Sequence, residues 1–533
     1  MKSFDTLGVM IDMSRNAVMS VESLKRFLVL LKKMGYNMVM LYTEDTYEVD
    51  GEPYFGYMRG RYSKDEMKEI DSFADSLGLT VIPCIQTLAH LNSIFRWEKY
   101  PIDCNDILLC DNERNYELIE NMFATLSECF KSRKIHIGMD EAHMLGRGTY
   151  LDLHGYEPLG DIMKRHLNKV CTIAEKYGYE VMMWSDMFFR PWNDGKYFIS
   201  KCEVPREIVD SVPSSVIPVY WDYYQSSEEA YGDMMENHMQ LSKNTWFAGG
   251  AWSWYGLIPY NRFTLESMIP AINACKKHKI RNVFFTMWGD DGAECSHFSQ
   301  LPSLLYLAEY ARGNRDEERI KAKFKRLFGI DFDEFMTIDC PNEIIPYEGK
   351  PKNPSKYMLY SDYFNDFLDY TIKENVGEKY AEFADRLHKS AKKSRRYGYV
   401  FDTAAKLCDV LAIKYELGLR TRKAYEAGDK RELLRLAKNE YVKVERLIKI
   451  FAEAFEKQWY KDNKPHGFDI QHHRLGALIY RTDACRRRIL DYVSCKIDRI
   501  EELDEALLPF RGAKESTHLP SAVFCSTVNV VHH

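Results

Sequence analysis

The stretch LGVMIDMSRNAVMSVESLKRFLVLLKKMGYNMVMLY, residues 7–42, contains the pattern that decides the fold. A short apolar run is followed by a segment in which apolar residues recur every three or four positions, and then by a second apolar run. This order predicts a strand, an amphipathic helix and a strand parallel to the first, because parallel neighbours need a helix-sized connection. Ser20 is placed to cap the helix, and Gly35 is placed to end it.

The same pattern recurs along the following residues. We predict eight strands separated by helices, one of which begins with a capping box from Ser63 to Glu66. The predicted strands begin at Leu7, Tyr36, Leu79, Lys134, Glu180, Val216, Thr245 and Arg281. Eight strands in about 300 residues favour an α/β fold of the (β/α)8 TIM-type barrel class. An open, doubly wound sheet is the alternative, but no glycine-rich turn opens a helix as its nucleotide sites require.

Prolines divide the chain into two parts. Four of them fall in PNEIIPYEGKPKNP, residues 341–354, and they disfavour both helix and central strand there. We therefore predict a catalytic barrel at 1–335, a proline-rich linker at 336–354 and an all-helical domain at 355–533. The predicted helices of that domain are 360–371, 379–396, 404–427, 430–458 and 470–503. This domain is a candidate dimerisation surface, so a homodimer is one expectation.

The composition is that of a globular protein. Of 533 residues, 45% are hydrophobic and 29% are charged, and the net charge of −6 does not indicate a nucleic-acid partner. The best apolar run, residues 27–31, is too short for a membrane helix, and residues 1–18 lack the apolar segment of a secretory signal. The 13 cysteines form no CxxC pair, which favours a reducing compartment. We expect a soluble, cytoplasmic protein without a membrane partner.

The predicted strand ends carry acidic, basic, amide or aromatic side chains at every position of the barrel. Reacting groups lie at these ends in (β/α)8 enzymes. Aromatic planes pack on the faces of sugar rings, while carboxylates and arginine hold hydroxyls, so this combination favours a sugar site, although tryptophans on strands also serve as core. The end residues are Asp12, Arg15, Tyr42, Glu44, Asp45, Gln86, His90, Asp140, Glu141, His143, Trp184, Asp186, Tyr220, Trp221, Asp222, Trp252, Trp254, Trp288, Asp290 and Asp291.

The sharpest local signal is HIGMDEAHMLGRG, residues 136–148, in which Asp140 and Glu141 are adjacent where a strand ends. In a regular strand they would face opposite sides, but in a loop both can reach one pocket. Mutual repulsion then raises the pKa of one carboxyl, which keeps it protonated as a general acid.

These residues resemble glycoside hydrolase family 20, the β-N-acetylhexosaminidases, whose fourth barrel strand ends in His-x-Gly-Gly/Ala-Asp-Glu. The matching residues are His136, Gly138, Asp140 and Glu141, whereas Met139 replaces the usual small residue and predicts a different pocket wall. Further matches are Arg15, His90 and Trp288-Gly289-Asp290, where many members carry Glu instead of Asp. The resemblance covers residues 1 to about 335. It implies the short, intracellular-type architecture with a helical domain after the barrel.

The resemblance implies an exo-acting hydrolase that removes terminal β-linked N-acetylglucosamine or N-acetylgalactosamine, with a carbohydrate as its partner and with no cofactor or metal. The substrate's own acetamide is the nucleophile, and the reaction passes through an oxazolinium intermediate with retention. Glu141 would protonate the leaving oxygen and later activate water. Asp140 would hold the acetamide N–H.

The resemblance also implies a set of substrate contacts. Trp184, Trp252 and Trp288 would enclose the acetamide, and Arg15 with Asp290 would hold the distant hydroxyls. Tyr220 with Asp222 reproduces the family's Tyr-x-Asp spacing for the residue that orients the acetamide oxygen, while Tyr223 and Tyr224 compete with Tyr220 for that role. Trp221 would be a wall of the pocket, and His90 and Glu44 would support it.

Two other readings of the same residues stay open. His90, Asp140, Glu141, Asp186 and Asp222 are also residue types that bind Mg²⁺ or Mn²⁺ in sugar isomerases and amidohydrolases with barrel folds. The third reading is a non-catalytic barrel that binds amino sugars, although the presence of both acids argues against it.

Overall fold

Eight parallel strands close into a barrel in this computed structural model, which describes residues 4–254, 256–344, 351–369, 372 and 375–508. The strands pair in chain order, and the last strand pairs with the first, with Val9 opposite Phe285. They are β1 Thr6–Asp12, β2 Met38–Tyr42, β3 Thr80–Cys84, β4 Lys134–His136, β5 Glu180–Trp184, β6 Val216–Trp221, β7 Trp246–Gly250 and β8 Asn282–Met287. The prediction of a TIM-type barrel is confirmed.

The helices that connect the strands begin and end as their capping residues predict. Ser20 accepts a hydrogen bond from the Ser23 N–H, Gly35 has a φ of 103°, and the capping box between Ser63 and Glu66 is present. The helices are α1 Val21–Met34, α2 Lys64–Ser76, α3 Glu113–Cys129, α4 Leu159–Lys176, α5 Glu228–Leu241, α6 Asn261–Lys277, α7 Leu301–Ala311 and α8 Glu317–Phe328.

Several short elements lie in the loops that connect the strands and helices. An antiparallel ribbon pairs Ile102–Cys104 with Ile107–Leu108, which the sequence analysis did not predict. The short helical turns are Asn92–Phe95, Thr149–His154, Asp186–Phe188, Arg190–Trp192, Arg206–Val209, His297–Gln300, Phe332–Phe335 and Met336–Asn342.

The described residues form two compact units. The first comprises residues up to 251, 263–288 and 303–320, and it holds the barrel strands. The second comprises 252–262, 289–302 and the residues from 321 onward. The segments after β7 and β8 belong to the second unit because their polar groups bond within it: Asn261 Nδ2 donates to Asp339 Oδ1 at 2.9 Å. The domain boundary predicted at residue 335 stays a prediction.

The predicted linker is partly helical. Residues 336–342 form a buried 3-10 turn that contains Pro341, and helix α9, Pro354–Tyr360, begins with a proline at its first position. A proline is tolerated there because its missing N–H would have no partner within the helix. Residues 345–350 of the predicted linker lie outside the described residues.

The remainder of the second unit is helical, as predicted, but its helix bounds differ. Its helices are α10 Val376–Lys393, α11 Gly398–Glu426, α12 Lys430–Arg435, a π-helical turn Leu436–Glu440, α13 Tyr441–Asp462, α14 Phe468–Val493 and α15 Glu501–Asp504. The helix predicted at 360–371 is wrong over 361–369, where Asp362 accepts hydrogen bonds from the N–H groups of Phe364 and Asn365. Such local bonds compete with a helix. No helix of the described residues is both long enough and apolar enough to cross a membrane.

Candidate active site

The loop after β4 presents the two adjacent acids. Strand β4 ends at His136, and the backbone then turns through positive φ at Gly138, Met139 and Glu141, with values of 74°, 68° and 53°. A Cβ on Gly138 would lie 2.0 Å from Gln86 Oε1, so glycine is required there. The turn ends strand alternation before the acids, which allows both carboxyls to share one site.

Asp140 forms an ion pair that keeps it charged. His90 Nε2 lies 3.3 Å from Asp140 Oδ2, and Gln86 Nε2 donates to Asp140 Oδ1 at 2.8 Å. Burial raises the pKa of Asp140, but His90 and Gln86 outweigh it and lower the pKa to about 2. Burial lowers the pKa of His90, but the Asp140 carboxylate outweighs it and raises the pKa to about 9. Near neutral pH the pair is therefore imidazolium and carboxylate.

Glu141 has the opposite ionisation. Burial, followed by the charges of Asp140 and Asp186, raises the pKa of Glu141 to about 7. Its side chain is still 44% exposed, and Arg190 Nη2 lies 3.7 Å from Glu141 Oε1. A carboxyl with this pKa and this access donates a proton and takes one back near neutral pH.

Asp186 fixes the position of Glu141 from the loop after β5. The buried Asp186 carboxylate accepts hydrogen bonds from the Glu141 backbone N–H at 3.0 Å, Arg190 Nε at 3.0 Å and Trp221 Nε1 at 3.3 Å. Sequence reasoning missed Arg190, because an arginine in a 3-10 turn after a strand carries no recognisable motif.

Arg15 occupies the other end of the site. Its Nη1 lies 2.9 Å from Asp12 Oδ2, and its Nε lies 3.4 Å from Glu44 Oε1. Tyr42 OH donates to Glu44 Oε1 at 3.2 Å and accepts from Gln86 Nε2 at 2.9 Å. Gln86 therefore links the Arg15 group to Asp140 through direct hydrogen bonds.

Aromatic rings join these two ends. Trp288 makes an edge contact with Tyr42 at 4.7 Å between ring centroids and lies 5.9 Å from Trp184. Trp288 Nε1 donates to Tyr223 OH at 3.0 Å, and Tyr223 stacks on Trp221 at 5.5 Å. The rings thus form a continuous wall of the kind that packs on sugar faces.

Tyr223, and not Tyr220, belongs to this wall. Tyr220 and Trp221 face opposite sides of β6, so the fully buried Tyr220 ring packs on His238 and Phe247 at 4.6 and 5.2 Å. Its hydroxyl donates to Asp222 Oδ2 at 2.9 Å. Strand alternation turns Tyr220 and Asp222 away from the aromatic wall, and their substrate role stays a prediction.

The predicted residues Trp252 and Asp290 lie in the second unit. The buried Trp252 ring stacks on Trp254 at 4.2 Å, and Asp290 is exposed. Their substrate roles stay predictions. The residues that the structure brings together in the first unit are Arg15, His90, Asp140, Glu141, Trp184, Trp221 and Trp288.

The residues named for the metal-dependent alternative do not form a ligand set. No group of three or more His, Cys, Asp or Glu side chains converges as a metal site among the described residues.

Comparison with known proteins gives two family matches. The model "Glycosyl hydrolase family 20, catalytic domain" matches residues 4–234, and "Glycoside Hydrolase 20C C-terminal domain" matches residues 333–522. The chain is 23% identical over 341 residues to Hexosaminidase D of Bos taurus, and the alignment covers 58% of this chain and 92% of the bovine protein. It is 24% identical over 377 residues to a Beta-hexosaminidase of Emericella nidulans, covering 58% of this chain and 60% of the fungal protein.

Solved structures give a weaker likeness. The GH20 exo β-N-acetylglucosaminidase from Vibrio harveyi in complex with N-acetylglucosamine has a TM-score of 0.47 and 14% identity. The alignment covers 63% of this chain and 58% of that chain, so this protein spans less than two thirds of its length. The two family models match most of the chain, and they do so in the order barrel, then helical C-terminal region. The chain therefore belongs to glycoside hydrolase family 20, a family of glycosidases.

Proposed function

We propose that this protein removes terminal β-linked N-acetylglucosamine or N-acetylgalactosamine from the non-reducing ends of glycans, with retention of configuration. The observation that carries the proposal is the opposed ionisation of two adjacent carboxyls, since Asp140 is charged and Glu141 is poised to hold a proton near neutral pH. A mechanism in which the substrate's acetamide is the nucleophile needs this combination: one acid, and one fixed negative charge.

In the first step Glu141 gives its proton to the glycosidic oxygen while the acetamide oxygen attacks C1. The bond from C1 to the leaving oxygen breaks, and the acetamide becomes an oxazolinium ring with a positive charge. Asp140 accepts a hydrogen bond from the acetamide N–H and stabilises that charge, without reorganising, because His90 and Gln86 already hold it.

In the second step the Glu141 carboxylate takes a proton from a water molecule, which attacks C1 and opens the ring. The acetamide is restored and Glu141 regains its proton. Two inversions at C1 give net retention.

The aromatic wall positions the sugar in this proposal. Trp184, Trp221 and Trp288 supply apolar faces, and Arg15, fixed by Asp12 and Glu44, binds hydroxyls remote from the bond that is cleaved. Tyr223, whose oxygen accepts from Trp288 Nε1 in this wall, is the proposed donor to the acetamide oxygen.

The proposal is tested with p-nitrophenyl β-N-acetylglucosaminide and the matching β-glucoside, with and without EDTA. Only the N-acetyl substrate is expected to be cleaved, with no effect of EDTA. Glu141→Gln is expected to lower kcat about 100- to 10,000-fold, because the proton donor is lost. Glu157→Gln, a change in a carboxyl of the same chain segment, is the matched control. Equal cleavage of the glucoside, or loss of activity with EDTA, contradicts the proposal.

The acetamide's role is tested by adding fluorine atoms to the N-acetyl group. Fluorine withdraws electrons from the acetamide oxygen and weakens it as a nucleophile, so the rate is expected to fall with each fluorine added. A rate independent of fluorination would instead indicate a nucleophile from the protein.

We further propose that the protein acts in the cytoplasm on imported glycan fragments. The cysteines of the described residues are all unpaired, which suits a reducing compartment. Cell fractionation that finds the protein outside the cytoplasm would overturn this part of the proposal.

A further inference from the structure

An exposed aromatic cluster lies on the loops that follow β2 and β3. Tyr54, Tyr57 and Met58 on the first loop are 41%, 42% and 70% exposed, and Trp97 on the second is partly buried between them. The Trp97 ring centroid lies 5.8 Å from that of Tyr54 and 5.3 Å from that of Tyr57. These four residues are called the rim platform. Large exposed apolar side chains that cluster in this way mark binding surfaces.

The loop that carries the platform is held by a buried ion pair. Glu52 is 3% exposed, and it accepts hydrogen bonds from Arg114 Nη1 at 2.7 Å, Asn121 Nδ2 at 3.0 Å and Tyr100 OH at 3.0 Å. The exposed rings are therefore presented by a fixed backbone. A ligand that binds them orders little additional chain, which lowers the entropic cost of binding.

The platform adjoins the candidate active site through Arg59, one residue after Met58. Arg59 Nη1 donates to Asn16 Oδ1 at 2.9 Å, and Arg59 Nε donates to Asp45 Oδ1 at 3.2 Å. Asn16 follows Arg15 in the chain, and Asp45 follows Glu44. The platform and the Arg15 group are thus parts of one rim at the carboxyl ends of the strands.

The chemistry of the cluster fits a sugar chain. Tyrosine and tryptophan offer flat faces for the C–H side of pyranose rings together with hydroxyl and N–H groups at their edges. Lys99 Nζ lies 5.3 Å from the centroid of the Tyr54 ring, so it adds a hydrogen-bond donor at the edge of the platform. An exo-acting pocket takes one sugar residue, so the rest of a longer glycan must leave it across the rim.

We propose that the rim platform binds sugar residues of the substrate beyond the one that is removed. This inference rests on the proposed function. We therefore expect a higher kcat/KM for oligosaccharides than for aryl glycosides, because sugar residues stack on Tyr54, Tyr57 and Trp97.

The test compares kcat/KM for a β-1,4-linked N-acetylglucosamine tetrasaccharide with kcat/KM for the p-nitrophenyl glycoside. The double variant Tyr57→Ala, Trp97→Ala is expected to lower the ratio of the two values about tenfold, because two stacking rings are lost. The single variant Trp97→Phe keeps a ring at this position and is expected to retain most of the ratio of the unaltered protein. Tyr480→Ala is the control, since Tyr480 is an exposed tyrosine, at 70%, on α14 and outside the platform.

An unchanged ratio in the double variant overturns the inference, and so does an equal change in Tyr480→Ala. Failure of the proposed function is distinguishable, because it would appear as absent cleavage of both substrates by the unaltered protein. Calorimetric titration with the tetrasaccharide then still measures the platform directly. Unaltered tetrasaccharide binding in the double variant overturns the inference without reference to activity, and thermal unfolding confirms that each variant is folded.

Discussion

Gln86 connects the two ends of the site through hydrogen bonds. Its Nε2 donates to Asp140 Oδ1 and to Tyr42 OH at 2.8 and 2.9 Å, while its Oε1 accepts from the Met139 N–H at 3.1 Å. One amide thus positions both the backbone and the carboxylate of the acid loop. The sequence placed Gln86 at a strand end but gave it no role, because a lone amide belongs to no motif.

At the residue scale, Asp186 adds to the raised pKa of Glu141, after burial and the charge of Asp140. Removing its negative charge with Asp186→Asn favours ionised Glu141, so the pKa of Glu141 falls from about 7. Since Glu141 must be protonated to act as the acid, the basic limb of the pH profile of kcat/KM is expected to move down by about one unit. The profile of Glu157→Gln should coincide with that of the unaltered protein. An unmoved basic limb in Asp186→Asn would show that another group controls it.

His90 protects the charge on Asp140 against acid. With His90→Gln the opposing cation is lost, and the pKa of Asp140 rises from about 2. Asp140 must be ionised, so activity is expected to be lost at a higher pH as the solution is acidified. Measurement of kcat/KM between pH 3 and 6 checks this. His154 is exposed, so His154→Gln is the control variant. The expectation is contradicted if the acidic limb of the pH profile of kcat/KM lies at the same pH in His90→Gln and His154→Gln.

The site was predictable where the motif is contiguous and unpredictable where the fold assembles it. Asp140 and Glu141 follow from their adjacency at a strand end. The Tyr-x-Asp spacing favoured Tyr220 over Tyr223 and Tyr224, but the sequence does not show the point at which β6 ends and the chain turns. Tyr223 reaches the wall only because the strand stops at Trp221.

At the scale of elements, β4 is the strand that leads into the two adjacent acids. It is only three residues long, from Lys134 to His136, although the apolar pattern predicted a strand to Asp140. The turn at Gly138 ends it, because Gln86 occupies the space where a side chain would lie. Periodicity identified the strand but could not show that contact, which comes from the loop after β3.

Gly138→Ala is expected to lower both stability and activity. The new Cβ would lie 2.0 Å from Gln86 Oε1 at a φ of 74°, so Gln86 or the acid loop must shift. We expect a loss of about 1–3 kcal/mol of unfolding free energy and a larger proportional loss of kcat. Urea unfolding and kinetics check the two effects.

Gly155→Ala separates backbone strain from steric conflict. Gly155 also has a positive φ, of 78°, but nothing lies within 4 Å of the position of its Cβ. Its ψ of −174° places it in a region almost exclusive to glycine, so its substitution is expected to cost about 1–3 kcal/mol and to leave kcat unchanged. Similar kinetics for the two variants would contradict the role assigned to the Gln86 contact.

At the scale of the whole molecule, the alternation of strands and helices was enough to predict the barrel. Eight apolar runs with crossover helices allow few other closed arrangements. The division of the chain was harder to predict, because prolines mark where regular structure is interrupted and not where contacts end. Segments 252–262 and 289–302 belong to the second unit through bonds that join residues distant in sequence, as Asn261 and Asp339 show.

A buried charge cluster stabilises the second unit. Lys356 Nζ and Arg474 Nη1 each lie 2.9 Å from a carboxylate oxygen of Glu294, and the Lys356 side chain is fully buried. Lys356→Met leaves a buried carboxylate with one cation, so we expect a loss of about 3–5 kcal/mol in unfolding free energy. The matched change Lys449→Met breaks an exposed pair with Glu445 and is expected to cost about 0.5 kcal/mol or less. Equal shifts of the urea midpoint would contradict the importance of burial.

The backbone of Glu141 carries a further consequence. Its φ of 53° lies in the left-handed region, which costs an L-residue other than asparagine or aspartate about 1 kcal/mol or more, and which glycine enters freely. Glu141→Gly would relieve that cost and, in the proposed mechanism, would remove the proton donor. In the proposed mechanism, stability and turnover therefore favour different residues at position 141.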